Sequence, residues 1–88
     1  MRKVVEVTEV DGEGLEAFLG EKILLMCANY FYAGKLAGVN DTFVMLEEAS
    51  IVYETGAWNE PVYKDAQRLP GKAWYVERAF IESYGSGK

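Results

Sequence analysis

Residues 23 to 53 constrain the fold more than any other part of the chain. They contain apolar runs typical of β-strands, and Asn40-Asp41 joins the second run to the third as a tight turn. Gly34 and Gly38 interrupt the second run, where a strand of a small sheet can bend sharply. The stretch therefore predicts a strongly bent strand pair around which the remaining chain folds.

Three strands are expected in this stretch. The first covers residues 23 to 28, the second runs from Tyr30 or Phe31 to Val39, and the third begins at Thr42. The alternation of the third breaks at residues 47 to 49, which indicates a bulge within one long strand, or else two strands. The first strand is apolar on both faces, so we expect a helix to cover one face and the barrel core the other.

The N-terminal part predicts a strand or extended arm over residues 1 to 10 and a short helix over 12 to 20. Leu15, Phe18 and Leu19 have the spacing of one apolar helix face. Asp11 is the expected N-cap, and Gly20 is placed to end the helix.

The C-terminal part is less regular. Residues 57 to 72 are predicted to form a loop that carries a brief strand or helical turn around 62 to 67. Residues 73 to 76 and 79 to 84 predict two strands joined by a tight corner, and residues 85 to 88 a flexible tail. The expected architecture is a single mainly β domain over residues 1 to 88, with a short helix followed by a bent five-stranded barrel of the SH3 type over 22 to 84.

Composition narrows the classes of function. The formal net charge is −5, and such a surface repels a phosphate backbone, so any contact with RNA requires a local basic patch. There is no histidine, the commonest general base and metal ligand, and we expect neither a cofactor nor a metal. Glu47 and Glu48 alternate faces on a strand rather than converge, which argues against an enzyme.

Cysteine usage and hydropathy indicate the compartment. Cys27 is the only cysteine, which excludes an intrachain disulfide and favours a reducing, cytoplasmic location with a buried, unreactive thiol. No signal peptide is visible, and no apolar run approaches the ~20 residues of a membrane span, so no membrane partner is expected.

The stretch over residues 22 to 54 resembles the first motif of the Sm-like superfamily, which includes the Sm and LSm proteins and bacterial Hfq. The resemblance lies in an apolar strand, then Tyr32-Ala33-Gly34-Lys35-Leu36, then an acidic turn at Asp41, and then a third apolar strand that closes with Glu47-Glu48-Ala49. It implies a cyclic homo-oligomer in which the fourth barrel strand of one subunit pairs with the fifth strand of its neighbour.

The residues lead to the same assembly independently. An open barrel leaves strand edges, and an edge contact repeated by rotation closes into a ring. The predicted interface carries few charges, with Trp74, Tyr75, Val76, Phe80 and Ile81. Alternatively, these side chains fill the core, and the protein is a monomer or a dimer.

The chain departs from the Sm pattern where the family binds RNA. The Asn that holds the base in Sm and LSm proteins is replaced by Met45, or by Val44 if Asn40 is the motif residue. Arg78 matches the Arg of the second motif, but Ala79 stands in place of its Gly. The lysine-histidine pair of Hfq is absent.

Two functions follow from the resemblance. The first is a ring that binds single-stranded RNA at its pore with an altered base preference, through Tyr32, Lys35, Asn40, Asp41, Phe43 and Arg78. The second is a ring that acts as a structural or protein-interaction module without RNA, in which the aromatics are core and Arg78 pairs with an acid. Trp58 and Tyr63 in the long loop either contact a partner or pack over the open end of the barrel.

Overall fold

A computed structural model describes residues 13 to 88, and the predicted N-terminal arm lies outside them. The strands are β1 (Lys22–Cys27), β2 (Phe31–Val39), β3 (Phe43–Glu54), β4 (Asp65–Arg68), β5 (Ala73–Glu77) and β6 (Ile81–Ser86). Two short 3-10 helices, Gly14–Phe18 and Arg78–Phe80, complete the regular structure. The domain is therefore mainly β, as the alternation of apolar residues predicted.

All strand pairs are antiparallel and belong to one sheet. The order is β4-β3-β2-β1-β6, and β5 pairs with β3 beside β4. The Phe43 half of β3 pairs with β5, and the Ser50 half pairs with β4. Within residues 13 to 88 the sheet is not closed, because β5 and β6 are not paired with each other.

β3 is one long strand with a bulge, one of the two outcomes that the sequence left open. Glu48 has a positive φ of 51°, and the pairing of β2 with β3 shifts between Ala33 and Lys35, across Gly34. The shift puts Glu48 and Ala49 opposite a residue without a side chain. The bulge turns β3, so its two halves take different partners.

The main hydrophobic cluster lies on one face of the sheet. Its buried residues come from β1, β2, β3, β5 and the first 3-10 helix: Leu15, Ile23, Leu25, Cys27, Leu36, Val44, Leu46, Ala49 and Val76. Because successive side chains of a strand point to opposite faces, Leu24 on β1 belongs to a second cluster, with Ala33 and Val52.

This second cluster corrects one expectation about β1. Leu15 and Phe18 of the 3-10 helix pack against the main cluster rather than on the opposite face of β1. The opposite face is covered by Tyr63 from the loop after β3, which packs with Met26 and Phe31 against the second cluster. The loop after β3 therefore covers the face of β1 that the N-terminal helix was expected to cover.

Other predictions differ in detail. Within residues 13 to 88 the sheet has six strands rather than five, because β4 forms in the predicted loop, where it overlaps the brief strand or helical turn predicted around 62 to 67. The helix expected over 12 to 20 is a five-residue 3-10 helix in the described part. The last strand begins two residues later than predicted and includes Gly85 and Ser86, which were assigned to the tail.

The longest helix in residues 13 to 88 has five residues, far too few to cross a membrane.

Candidate functional site

The turn between β2 and β3 is held by the side chain of Asn40. Its carboxamide Oδ1 accepts hydrogen bonds from the backbone N–H groups of Thr42 and Phe43, both at 2.8 Å. The Asn40 N–H donates to the Phe43 carbonyl oxygen at 3.1 Å. An Asn at the start of a turn mimics a backbone turn in this way, so local sequence is sufficient to specify it.

Arg78 docks the connection between β5 and β6 onto this turn. Its backbone N–H donates to the Thr42 carbonyl oxygen at 2.8 Å, and its Nη1 donates to the Asn40 carbonyl oxygen at 2.8 Å. The guanidinium stays exposed, and a guanidinium has five N–H donors, so others remain for a ligand. We call Asn40, Asp41, Phe43 and Arg78 the turn surface.

The aromatic member of the turn surface is already in contact with another ring. Phe43 is half-buried and meets Tyr75 of β5 edge to face, with ring centroids 5.1 Å apart. Of the two residues predicted to replace a base-binding Asn, Met45 is half-buried opposite Tyr75 on β5, and Val44 is buried. The turn surface thus presents the charged side chains of Asp41 and Arg78 and the ring of Phe43, which already contacts Tyr75. Met45 has no amide group that could form a hydrogen bond with a base edge.

Two predicted RNA contacts lie elsewhere on β2. Tyr32 pairs with Ile51 and packs against the main cluster. Burial raises the pKa of the Tyr32 hydroxyl, and charges on Cys27 and Tyr30 raise it further. Lys35 is exposed opposite Lys22 of β1, several residues before the turn. The structure brings together four of the six predicted residues.

The predicted interface residues divide between core and surface. Val76 is buried, and Trp74 and Ile81 are half-buried against the main cluster. Tyr75 and Phe80 are 57% and 60% exposed. Val76, Trp74 and Ile81 therefore contribute to the core, as the alternative prediction had it, whereas the interface role of the exposed Tyr75 and Phe80 stays a prediction.

Sequence reasoning missed the contacts of Lys88. Its ammonium Nζ donates to the carbonyl oxygens of Thr55, Ala57 and Val62 at 2.7, 2.8 and 3.2 Å. It also lies 5.9 and 5.3 Å from the ring centroids of Trp58 and Tyr63. These contacts connect the end of the described chain to the loop after β3, and a Gly-Ser-Gly-Lys sequence carries no signal for them.

Groups for catalysis are sparse. Burial raises the pKa of the Cys27 thiol, and the Glu82 carboxylate raises it further, so this thiol is a poor nucleophile at neutral pH. Within the described residues, no group of three or more Cys, Asp or Glu side chains is placed to hold a metal ion.

Comparison of the chain with protein-family models, with curated proteins and with solved structures found no significant match.

Proposed function

We propose that this chain is an Sm-like subunit that assembles into a ring through β5 and β6, and that the turn surface binds single-stranded RNA weakly. The observation that carries the proposal is the pair of free strand edges. Within the described part, β5 is paired only with β3, and β6 only with β1. Exposed edges readily pair with another chain unless they are covered or charged.

The connection between the two edges supports this assembly. β5 and β6 are consecutive in the chain, separated only by the three-residue 3-10 helix Arg78–Phe80. They lie at the two ends of the strand order β5-β3-β2-β1-β6. That order is the one expected for a bent five-stranded SH3-type barrel, with β4 as an addition. Tyr75 and Phe80 add exposed aromatic area beside the edges.

RNA binding is supported by the placement of Arg78. The guanidinium is anchored at one nitrogen to the Asn40 carbonyl, so little side-chain freedom is lost when its other donors contact a phosphate. In a ring, one such contact is repeated in every subunit, which raises the overall affinity. Since Met45 offers no hydrogen bond to a base edge, base discrimination should be small.

A protein-interaction ring without RNA is the second candidate. Two carboxylates favour it, because Asp41 and Glu77 flank Asn40 and Arg78 in the chain and are exposed. The negative charges of Asp41 and Glu77 beside Arg78, the one arginine of the turn surface, weaken phosphate binding.

The assembly is tested by a charge at the β5 edge. Tyr75→Lys should reduce the mass in solution from that of a ring to that of a monomer, because it buries an unpaired ammonium at the subunit contact. Tyr53→Lys is the matched control, since Tyr53 is 55% exposed but lies on β3. Sedimentation equilibrium measures both. A monomeric wild-type protein would reject the ring.

RNA binding is tested by titrating oligo-U and oligo-A at low and high salt. Arg78→Ala should weaken binding of both at least ten-fold per ring, while Lys64→Ala, which removes an exposed cation paired with Glu54 at 3.6 Å, should change it little. Fluorescence anisotropy gives the dissociation constants. If neither oligonucleotide binds at low salt, where phosphate contacts are strongest, the RNA proposal fails and the protein-interaction ring stands.

A further inference from the structure

A cleft lies over the bulge of β3, away from the turn surface. It consists of two adjoining depressions of about 550 and 450 Å³ that share Lys35, Glu48 and Arg68 in their walls. Gly34 and Glu48, which lie across from each other at the bulge, both line the larger depression. The bulge that bends β3 therefore also forms part of the cleft wall, and six separate segments of the chain contribute to the cleft.

The cleft collects most of the positive charge of an acidic protein. Of the nine Lys and Arg residues, Arg2 and Lys3 precede the described part. Five of the other seven line the cleft: Lys22, Lys35, Arg68, Lys72 and Lys88. The only acids in its walls are Glu47 and Glu48. We call Lys22, Lys35, Arg68 and Lys72 the basic cluster, because these four exposed side chains line the cleft and form no ion pair with a carboxylate of residues 13 to 88.

Folding does not explain the basic cluster. Lys22 and Lys35 are directly opposite each other on β1 and β2, and like charges in that position destabilise a sheet. In residues 13 to 88 the one ion pair joins Lys64 to Glu54, outside the cleft. Glu47 lies opposite Lys35 on β3, but the cations of the cleft outnumber its two acids and form no ion pair within residues 13 to 88. A cleft lined mainly by one sign of charge is typical of a site for a ligand of the opposite sign.

Lys88 also lines the cleft, but it contributes in a different way from the basic cluster. Its ammonium is bonded to three carbonyl oxygens, so it adds positive potential without offering a free donor. Its backbone N–H donates to the Tyr63 hydroxyl at 3.0 Å. These bonds fix one wall of the cleft, and a fixed wall lowers the ordering cost of binding.

We propose that the cleft binds a compact ligand that carries two or more linked phosphate groups, such as a triphosphate. Arg68 supplies a planar guanidinium that binds two phosphate oxygens at once, and the lysines supply point charges for the neighbouring phosphates. The volume is in the range of small-molecule sites. A long polyanion would have to continue over an acidic surface beyond the cleft, whereas a compact one stays within the basic cluster.

This inference is independent of the turn surface and of ring assembly, since it uses none of their residues. The test is isothermal titration calorimetry of the full chain at 50 mM salt with inorganic triphosphate, orthophosphate, ATP and oligo-U without a terminal phosphate. Triphosphate should bind at least ten-fold more tightly than orthophosphate. ATP and inorganic triphosphate both present three linked phosphates. If the ligand is a nucleotide, ATP should therefore bind with about the same affinity as triphosphate.

Variants assign the binding to the cleft. Lys35→Gln and Arg68→Gln should each weaken triphosphate binding about ten-fold, since each removes charge-assisted hydrogen bonds to phosphate. Lys64→Gln removes the same charge outside the cleft and should change the affinity less than two-fold. The melting temperature of Lys35→Gln should change little, because the substitution removes both the repulsion with Lys22 on β1 and the attraction to Glu47 on β3.

Three results would overturn the proposal. One is the absence of triphosphate binding at 50 mM salt by a folded wild-type protein. Another is an equal loss in Lys64→Gln and Lys35→Gln, which would mean a diffuse surface attraction. The third is tighter binding of oligo-U than of triphosphate with loss in the same two cleft variants, which would make the cleft a nucleic-acid groove. If Lys35→Gln does not fold, Arg68→Lys keeps the charge, and its loss of the two-oxygen contact should weaken triphosphate binding several-fold.

Discussion

Leu46→Ala should lower the free energy of unfolding by about 3 kcal/mol, within the ~2 to 5 kcal/mol seen when a buried leucine is truncated. Leu46 is fully buried in the main cluster and lies opposite Leu36 on β2 and Trp74 on β5. The cavity would open where β3 is bonded on both sides, so backbone relaxation cannot easily fill it. Urea unfolding at a fixed subunit concentration measures the change.

Leu19→Ala is the matched control. Leu19 ends the first 3-10 helix and is 48% exposed, so the same truncation removes much less buried area. We expect its loss to stay below about 1 kcal/mol. A loss of less than about 1 kcal/mol for Leu46→Ala would contradict the packing of the main cluster. For a domain of this size, about 3 kcal/mol is a large share of a total stability of ~5 to 15 kcal/mol.

Gly34→Ala should cost about 2 to 3 kcal/mol, because one methyl group would be forced into a filled space. A Cβ at this position would lie 2.9 Å from the Glu47 carbonyl oxygen, 3.2 Å from the Ala49 Cα and 3.3 Å from the Leu46 Cβ. Two of these atoms are backbone atoms of β3, so relief requires a shift of the bulge itself. Thermal unfolding followed by circular dichroism measures the loss.

Gly85→Ala and Gly38→Ala are the controls for this effect. Gly85 lies in β6 with no atom within 4 Å of an added Cβ, and at Gly38 the methyl would meet only the Met45 side chain at 3.6 Å. Both substitutions should be neutral or stabilise the protein slightly, since alanine has less conformational freedom than glycine to lose on folding. If Gly34→Ala is as mild as these two, the close approach of β2 and β3 at the bulge is wrong.

Gly34 and Gly38 look alike in the sequence but have different surroundings in the structure. Both glycines were expected at bends of β2, and the register of β2 with β3 shifts near each. Only Gly34 is in close contact with backbone atoms, because Glu48 and Ala49 are crowded opposite it. The sequence marks both positions alike, since the difference depends on which residue of β3 lies across.

In the turn surface, the local contacts could be predicted from the sequence and the long-range contact could not. Asn40 holds its turn through bonds to residues two and three positions away, which local sequence specifies. The contact of Arg78 with Asn40 spans 38 positions and depends on β5 pairing with β3 in one register. Tyr32 and Lys35 were assigned to the same site because they lie in the same motif, yet the length of β2 separates them from the turn.

The sequence by itself determined the mainly β class, the turn at Asn40, the break in β3 and the buried state of Cys27, because each depends on alternation, turn chemistry or apolar surroundings within a few residues. Only the tertiary structure decided that Tyr63 covers the second face of β1, that Lys88 bonds to the loop after β3, and that the basic cluster lies in one cleft. The physical reason is register. A slip of one residue moves every side chain of a strand to the opposite face, and the bulge that sets the register is a contact between two strands.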